Sequence, residues 1–427
     1  MKFKPLFILG LLFFLSGCFG ARKQATINAK GPSNNPQTDQ ERSQATSVNA
    51  RKMTVAYQLL DDNESIRVFL ELDIPRLEAS SNINKIKEEF SFSYGLLPNY
   101  ASKEFIETKK IDMSTSDIRK VEDKFYMSFS VPKKPVISNV MLIDIVDTFT
   151  GQKILQDLII SYAVTKVRQV FSPFDPSGQV PIFGRYFLKD EPLQIKSING
   201  EQANLQVVYY QHEFEPANPP MATVSDDPIK NLVPDSSFTL STNQVFSFKK
   251  KGLYLMKKDA NDYYGMTFYV SDLKYPKITR VDEVVDPLVY ITTQEEYDGL
   301  MDSDDTKKAF DRLWLKLSSG NVKLARLTIR EYFRRVKMAN KFFTTFKPGW
   351  QTDMGMIFII YDSPNRIIRN DNVEHWIYTQ NATFSEIKFS FRRKPNQFTD
   401  DHFTLVRYPD YEQVWYPAIE LLREGKI

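Results

Sequence analysis

Between residue 54 and about residue 277 apolar side chains return at every second position, and beyond about residue 278 they return at every third and fourth; no other feature narrows the fold as much. A period of two puts one face of an extended strand into a core, whereas a period near 3.6 does the same for a helix. Ile66, Val68, Leu70 and Leu72 alternate with Arg67, Phe69 and Glu71, and Phe125, Met127, Phe129 and Val131 alternate with Tyr126, Ser128 and Ser130. Apolar runs at 140–146 and 154–162 flank the turn-like segment 147–151. Short strands between polar turns predict an antiparallel β-sandwich at 52–165. A bridge containing Pro173, Pro176, Gly178 and Pro181 leads to a second β-rich domain at 166–277, with strands expected at 193–198, 205–210, 238–240, 245–248, 253–256 and 266–270. Asn199-Gly200 is a strong turn dipeptide, and 216–234 reads as a long polar loop. The expected class is multidomain and mostly β: two tandem antiparallel β-sandwich-like domains followed by an α+β domain at 278–427.

In 427 residues, 42% hydrophobic and 26% charged side chains describe a chain that folds. Its net charge of +3 exerts no whole-chain pull on nucleic acid. None of the 16 glycines falls in a G-x-G-x-x-G, G-x-x-x-x-G-K or G-x-S-x-G pattern, which disfavours common nucleotide and α/β-hydrolase chemistry. His212, His375 and His402 form no H-E-x-x-H, and Asp302 to Asp305 lack the glycine and terminal glutamate of a calcium loop. No metal and no cofactor is expected.

Residues 322–343 are the clearest helical segment. Val322, Ala325, Ile329, Tyr332, Val336, Ala339 and Phe343 form one apolar stripe, and Arg326, Arg330, Arg334 and Lys337 line an adjacent face suited to an anionic ligand. Thr293-Gln294-Glu295-Glu296 is spaced as a capping box, and 304–317 continues the helical pattern. Downstream, Pro348-Gly349-Trp350-Gln351-Thr352-Asp353 enters an apolar run at 356–361 that closes at Asp362-Ser363-Pro364-Asn365. We expect Gly349 to permit a close approach, Trp350 to anchor a core, and Thr352 and Asp353 to bond nearby amides before a strand at 356–361. Strands at 375–378, 387–391 and 403–406 would join it, and a helix at 417–423 would start on Pro417.

Gly349, Trp350, Thr352 and Asp353 carry a resemblance to the GWxTD-domain family of bacterial outer-membrane and periplasmic lipoproteins, covering roughly residues 280–427. Two positions depart from the family's usual pattern: Met354 where an arginine is common, and Asp362-Ser363-Pro364-Asn365 in place of a Gly-Pro-Pro-Asp turn. The resemblance supplies a domain and no mechanism.

At the other end of the chain, Lys2 and Lys4 precede an apolar run at 6–15, and Leu15-Ser16-Gly17 precede Cys18, the only cysteine. This resembles a bacterial lipoprotein signal peptide at 1–17 followed by an acylated Cys18. The run is too short for a permanent membrane span, while several acyl chains, palmitate among them, would anchor the chain stably. Phe19 follows the cysteine and no acidic cluster comes soon after, which by resemblance to lipoprotein sorting implies the outer membrane with the body facing the periplasm. Residues 18–51 are polar, with Pro32 and Pro36, and read as a disordered tether.

Three functions fit these residues: a non-catalytic envelope binding or assembly module; a binder of anionic glycan, peptidoglycan or lipid headgroups through the basic helix; and a hydrolase or transferase centred on Asp353 or His375. The expected partners are the membrane through Cys18 and an envelope protein or anionic envelope polymer, with no nucleic acid. Metabolic labelling with a fatty-acid probe should mark the wild-type protein and leave Cys18→Ala unmarked; an unmarked wild type would remove the anchor.

Overall fold

The computed structural model describes residues 53–78, 82–114, 116–223, 232–370, 372–379 and 386–426; the leader, Cys18 and the tether lie outside them. The described residues belong to one compact unit.

The first domain contains, in chain order, β1 (Thr54–Asp62), β2 (Ser65–Asp73), β3 (Phe90–Leu97), β4 (Glu107–Lys110), β5 (Ile118–Val121), β6 (Lys124–Pro132), β7 (Ser138–Asp147) and β8 (Lys153–Ser161). They make two antiparallel sheets, β1-β2-β6-β5 and β4-β3-β7-β8. The alternation read from the sequence is the reason: Ile66, Val68, Leu70 and Leu72 of β2 and Phe125, Met127 and Val131 of β6 point into one apolar core with Phe92, Ile143 and Ile145 of the facing sheet. At about 25 cal/mol per Å² of apolar surface removed from water, this interior is the main source of the domain's stability.

The second domain adds β9 (Phe171–Phe174), β10 (Tyr186–Leu188), β11 (Leu193–Ser197), β12 (Asn204–Tyr210), β13 (Ser236–Ser241), β14 (Val245–Phe246), β15 (Gly252–Lys257) and β16 (Met266–Ser271). A five-stranded sheet, β10-β16-β15-β12-β13, faces a three-stranded one, β14-β11-β9. All pairs are antiparallel except β10 with β16. Asn199-Gly200 does turn, with Gly200 at φ +84°, but it carries the chain from β11 in one sheet to β12 in the other rather than closing a hairpin. A turn dipeptide sets a local reversal; which strands then pair is decided by the cores they bury.

In the third domain the helices α1 (Gln294–Met301), α2 (Thr306–Leu317), α3 (Val322–Phe343), α4 (Asp353–Tyr361) and α5 (Glu412–Arg423) surround a sheet of β17 (Arg366–Arg369), β18 (Val373–Tyr378), β19 (Ile387–Arg393) and β20 (Phe403–Leu405) in the order β17-β18-β19-β20. The capping box at α1 is present, with Thr293 accepting from the Glu296 amide at 3.2 Å. Asn321 caps α3 by accepting from the amides of Lys323 and Leu324.

Two expectations fail here. Residues 356–361 are not a strand: they complete α4, and β17 takes the sheet position assigned to them. A short, uninterrupted apolar run has no period to separate buried helix from buried strand; the Thr352 cap decides it, and the helix is apolar all round because it is enclosed on all sides. The last helix starts at Glu412, so Pro417 sits inside it rather than in its first turn.

The first sandwich holds one carboxylate under tension with burial. Asp147, 3% exposed, receives Arg76 through Nε at 2.7 Å and Nη2 at 2.9 Å. Burial raises the cost of charging Asp147, but Arg76 and Thr150 outweigh it and hold the carboxyl below its ordinary range. A depressed folded pKa means that this pair's contribution is complete above about pH 4 and is lost as pH falls through the folded value. Arg76→Met should cost about 3 kcal/mol near neutrality and flatten the acid limb of a urea-midpoint profile; an unchanged acid limb would refute the assignment.

Candidate functional site

The four signature residues sit where the C-terminal end of α3 meets the start of α4, and each has a distinct physical task. Gly349 lies against α3, and a Cβ there would run into the carbonyl oxygen of Ala339. Trp350, 6% exposed, joins the third domain's core and meets the Tyr290 ring edge-on at 6.1 Å. Its backbone is held on both sides: the Trp350 amide donates to Asn340 Oδ1 at 3.0 Å, and its carbonyl accepts from the Tyr290 hydroxyl at 2.9 Å. Thr352 is the N-cap of α4, its hydroxyl accepting from the Gly355 amide at 3.0 Å and donating to the Gly349 carbonyl at 2.8 Å.

Asp353 departs from expectation in its partners. Its Oδ2 accepts from the Leu405 amide on β20 at 2.6 Å, and its Oδ1 accepts from Arg407 Nη2 at 2.5 Å, both partners distant in sequence. The Asp353 and Arg407 side chains are only 2% and 6% exposed. Arg407 had no signal in the sequence, because its partner lies 54 residues away and is reached only through the β20 fold.

Arg407 does a second job. Its Nη2 also donates to the Asn218 carbonyl at 3.0 Å and its Nε to the Pro219 carbonyl at 3.3 Å. These belong to the segment read as a polar loop, and residues 214–220 instead lie as an ordered strap from the second domain across the third. Gln351 Nε2 donates to the Phe214 carbonyl at 2.5 Å, Lys347 Nζ to the Glu215 carbonyl at 3.3 Å, and the Tyr408 amide to the Pro220 carbonyl at 3.2 Å. In return the Ala217 amide donates to the Tyr290 hydroxyl at 3.1 Å. Phe214 enters an apolar cluster with Tyr210, Leu253, Leu255, Phe346 and Phe398 that joins the two domains.

The basic face of α3 divides in two. Arg334 pairs with Glu331 at 2.7 Å and with Asp362, and Lys337 is half-buried. Arg326 and Arg330 are exposed and have no acid partner among the described residues. Arg335, 6% exposed, turns inward and donates to the carbonyls of Ile359 and Ile360 at the end of α4.

His375 lies on the face of β18 opposite Trp376 and contacts Ser390 Oγ at 2.9 Å; burial first, then the Lys388 charge, lowers its pKa. Arg369 pairs with Glu374 across β17 and β18 at 2.9 Å and with Asp157 of β8 at 3.1 Å, which ties this sheet to the first sandwich. Asp286, at the start of the turn leading to Tyr290, is pushed up to about 6, by burial first and then by Glu283 and Glu213. Among the described residues no group of three or more His, Cys, Asp or Glu side chains could hold a metal ion.

If the Asp353–Arg407 pair holds this arrangement, Asp353→Asn should cost about 3–5 kcal/mol in urea unfolding by stranding a buried guanidinium, and Arg407→Met in the same chain should recover part of that loss. Additive losses in the double variant would show that the two side chains do not act as a unit.

No curated protein matches the chain. Among solved structures, the crystal structure of DIP-gamma IG1+IG2 is similar at 9% identity, over 52% of this chain and 98% of that one, with a TM-score of 0.14, too low to carry an argument about fold. The model of the GWxTD domain matches residues 252–424, from β15 of the second sheet to the end of α5, and so takes in more of the chain than the α+β domain alone. Residues 252–424 of this chain are thus a GWxTD domain.

Proposed function

We propose that this protein is a lipid-anchored component of a bacterial cell envelope, tethered through Cys18 to the outer membrane and facing the periplasm, and that it works as a non-catalytic binding or assembly module. The observation that favours binding over catalysis is how the signature spends its polar atoms. Thr352 Oγ1 closes a helix cap, and Asp353 is met by a guanidinium and a backbone amide, neither of which can take a proton from a substrate. His375 supports a hydrolase or transferase no better, since its described partner is a serine on the adjacent strand rather than a carboxylate that would orient it. The anchor rests on the residues around Cys18, and no helix among the described residues is long and apolar enough to cross a membrane.

A second reading keeps part of the basic helix. Arg326 and Arg330, which have no acid partner among the described residues, are the residues to engage an anionic glycan, peptidoglycan fragment or lipid headgroup; Arg334 is already neutralised.

In-cell crosslinking of the wild-type protein at native abundance should recover a reproducible envelope partner, and a protein that stays solitary would count against the module. Binding through α3 should weaken with added salt and fall on Arg326→Glu plus Arg330→Glu, with Arg334→Glu instead costing stability; binding indifferent to salt and to both charge reversals would remove the second reading.

A further inference from the structure

Residues 214–220 read Phe-Glu-Pro-Ala-Asn-Pro-Pro, and their burial repeats every third residue: Phe214, Ala217 and Pro220 face the protein, while Glu215 and Pro219 face water. Three residues per turn is the period of the polyproline II helix, which has no internal hydrogen bonds and leaves its carbonyls available. The composition supports that form. Pro216, Pro219 and Pro220 have φ fixed near −65°, and Glu215, Asn218 and Pro219 each precede a proline, which steers them away from helical backbone. Only Phe214 and Ala217 escape both constraints.

The receiving surface is built to read such a backbone. Gln351, Lys347, Arg407 and the Tyr408 amide donate to the carbonyls of residues 214, 215, 218, 219 and 220, and the Tyr290 hydroxyl accepts the Ala217 amide. None of these bonds goes to a strap side chain. Apolar sockets supply the rest: Phe214 meets the Phe346 ring edge-on at 5.3 Å, and Ala217 packs into the third domain's core. All of these donors lie inside the segment matched as a GWxTD domain, whereas the strap lies outside it. The signature itself assembles the surface: Gln351 is its variable position, the Trp350 carbonyl holds the Tyr290 hydroxyl, and Asp353 holds Arg407.

We propose that the GWxTD domain of this protein is a receptor for proline-rich peptide in the polyproline II form, which reads the main chain through Gln351, Lys347, Arg407 and Tyr290, and that residues 214–220 are its resident ligand. Asp353 is the positioning residue that presents the Arg407 fork. The segment it accepts has an aromatic, a small residue and a proline at three-residue spacing. A stiff backbone loses little entropy on docking, so a few main-chain bonds suffice to hold it. The inference deepens the binding-module reading by naming the chemistry of what is bound, and its chemistry does not depend on the anchor.

The test uses the full chain with residues 214–220 replaced by a Gly/Ser segment of equal length, and a synthetic peptide of residues 211–223 as the probe. The peptide should bind with a measurable Kd, and Arg407→Lys, which keeps the charge but loses the fork, should weaken it by about tenfold or more. A peptide with Pro216, Pro219 and Pro220 all changed to Ala should also bind more weakly, while an unrelated peptide keeping the Phe, Ala and Pro spacing and the prolines should bind comparably. Absence of binding to the folded strap-replaced chain, or binding indifferent to Arg407→Lys and to loss of the prolines, would overturn the proposal.

Should the strap-replaced chain not fold, amide exchange in the otherwise intact chain decides. Arg407→Lys should speed exchange at Ala217 and Tyr408 while β12 keeps its protection; uniform loss across the second domain, or no change, would mean a structural role only. Crosslinking that finds no partner while the peptide binds would sink the module reading and leave the receptor standing, and the reverse result would do the opposite.

Discussion

A charged carboxylate with almost no access to water is the constraint around which the C-terminal domain is arranged. Asp353 opens a helix whose remaining residues are almost all apolar and enclosed, so its charge has to be answered on the spot. Two partners answer it, the Leu405 amide and the Arg407 fork, at the end of α4 where the helix dipole favours an acid. The opposite end of the same helix is treated in mirror fashion, with the Arg335 guanidinium closing the carbonyls of Ile359 and Ile360. An acid at the positive end and a base at the negative end let a short apolar helix lie in the core without stranding its terminal groups.

The cost of burying Asp353 also explains how the domains are joined. A guanidinium has five donors, more than one carboxylate can take, and Arg407 spends the surplus on carbonyls of the strap. The ion pair that stabilises the helix start therefore also fastens the second domain to the third. Elsewhere the joints use the same chemistry at the surface. Asp400 receives Lys166 at 2.6 Å and also pairs with Arg168, and Arg369 reaches Asp157 on the first sandwich. Such pairs, still partly open to water, are worth little singly; the apolar cluster around Phe214, Phe346 and Phe398 supplies the cohesion they orient.

Where the fold was legible in advance, one periodicity spoke for one element. β2 and β6 could be read because an alternating strand buries every second side chain, and α3 because its stripe runs through 22 residues. Residues 356–361 were illegible for the converse reason: an apolar run buried on all sides has no phase, and only the cap at Thr352 separates helix from strand. Asn199-Gly200 announced a turn but not its sheet partners, which depend on cores assembled from distant residues. At the site, Gly349 and Trp350 could be read from size alone. Arg407 could not, since no local pattern links it to Asp353. The strap's prolines were visible, yet they read as a polar loop, because a period of three across seven residues means little until there is a surface for it to face.

The division of the basic helix shows how a charge count overstates a binding face. Twelve Lys or Arg between residues 306 and 350 against two acids make a strongly positive segment on paper. In the fold Arg335 and Lys347 face inward to backbone carbonyls, and Arg334 is held between Glu331 and Asp362. An arginine spent in this way has its donors filled and cannot be counted again toward a ligand. What remains exposed on α3 is a short cationic segment of Lys323, Arg326 and Arg330 beside a half-exposed Leu327, with Lys341 apart from it near the other end. A segment so small can bias the orientation of the molecule near an anionic surface through long-range attraction. It offers no enclosed, fork-matched contacts of the kind that confer selectivity, whereas the strap surface, with several directed donors and two apolar sockets, does. Selectivity in this protein should therefore reside at the signature, and the basic helix should supply at most a salt-sensitive preference for where the signature is presented.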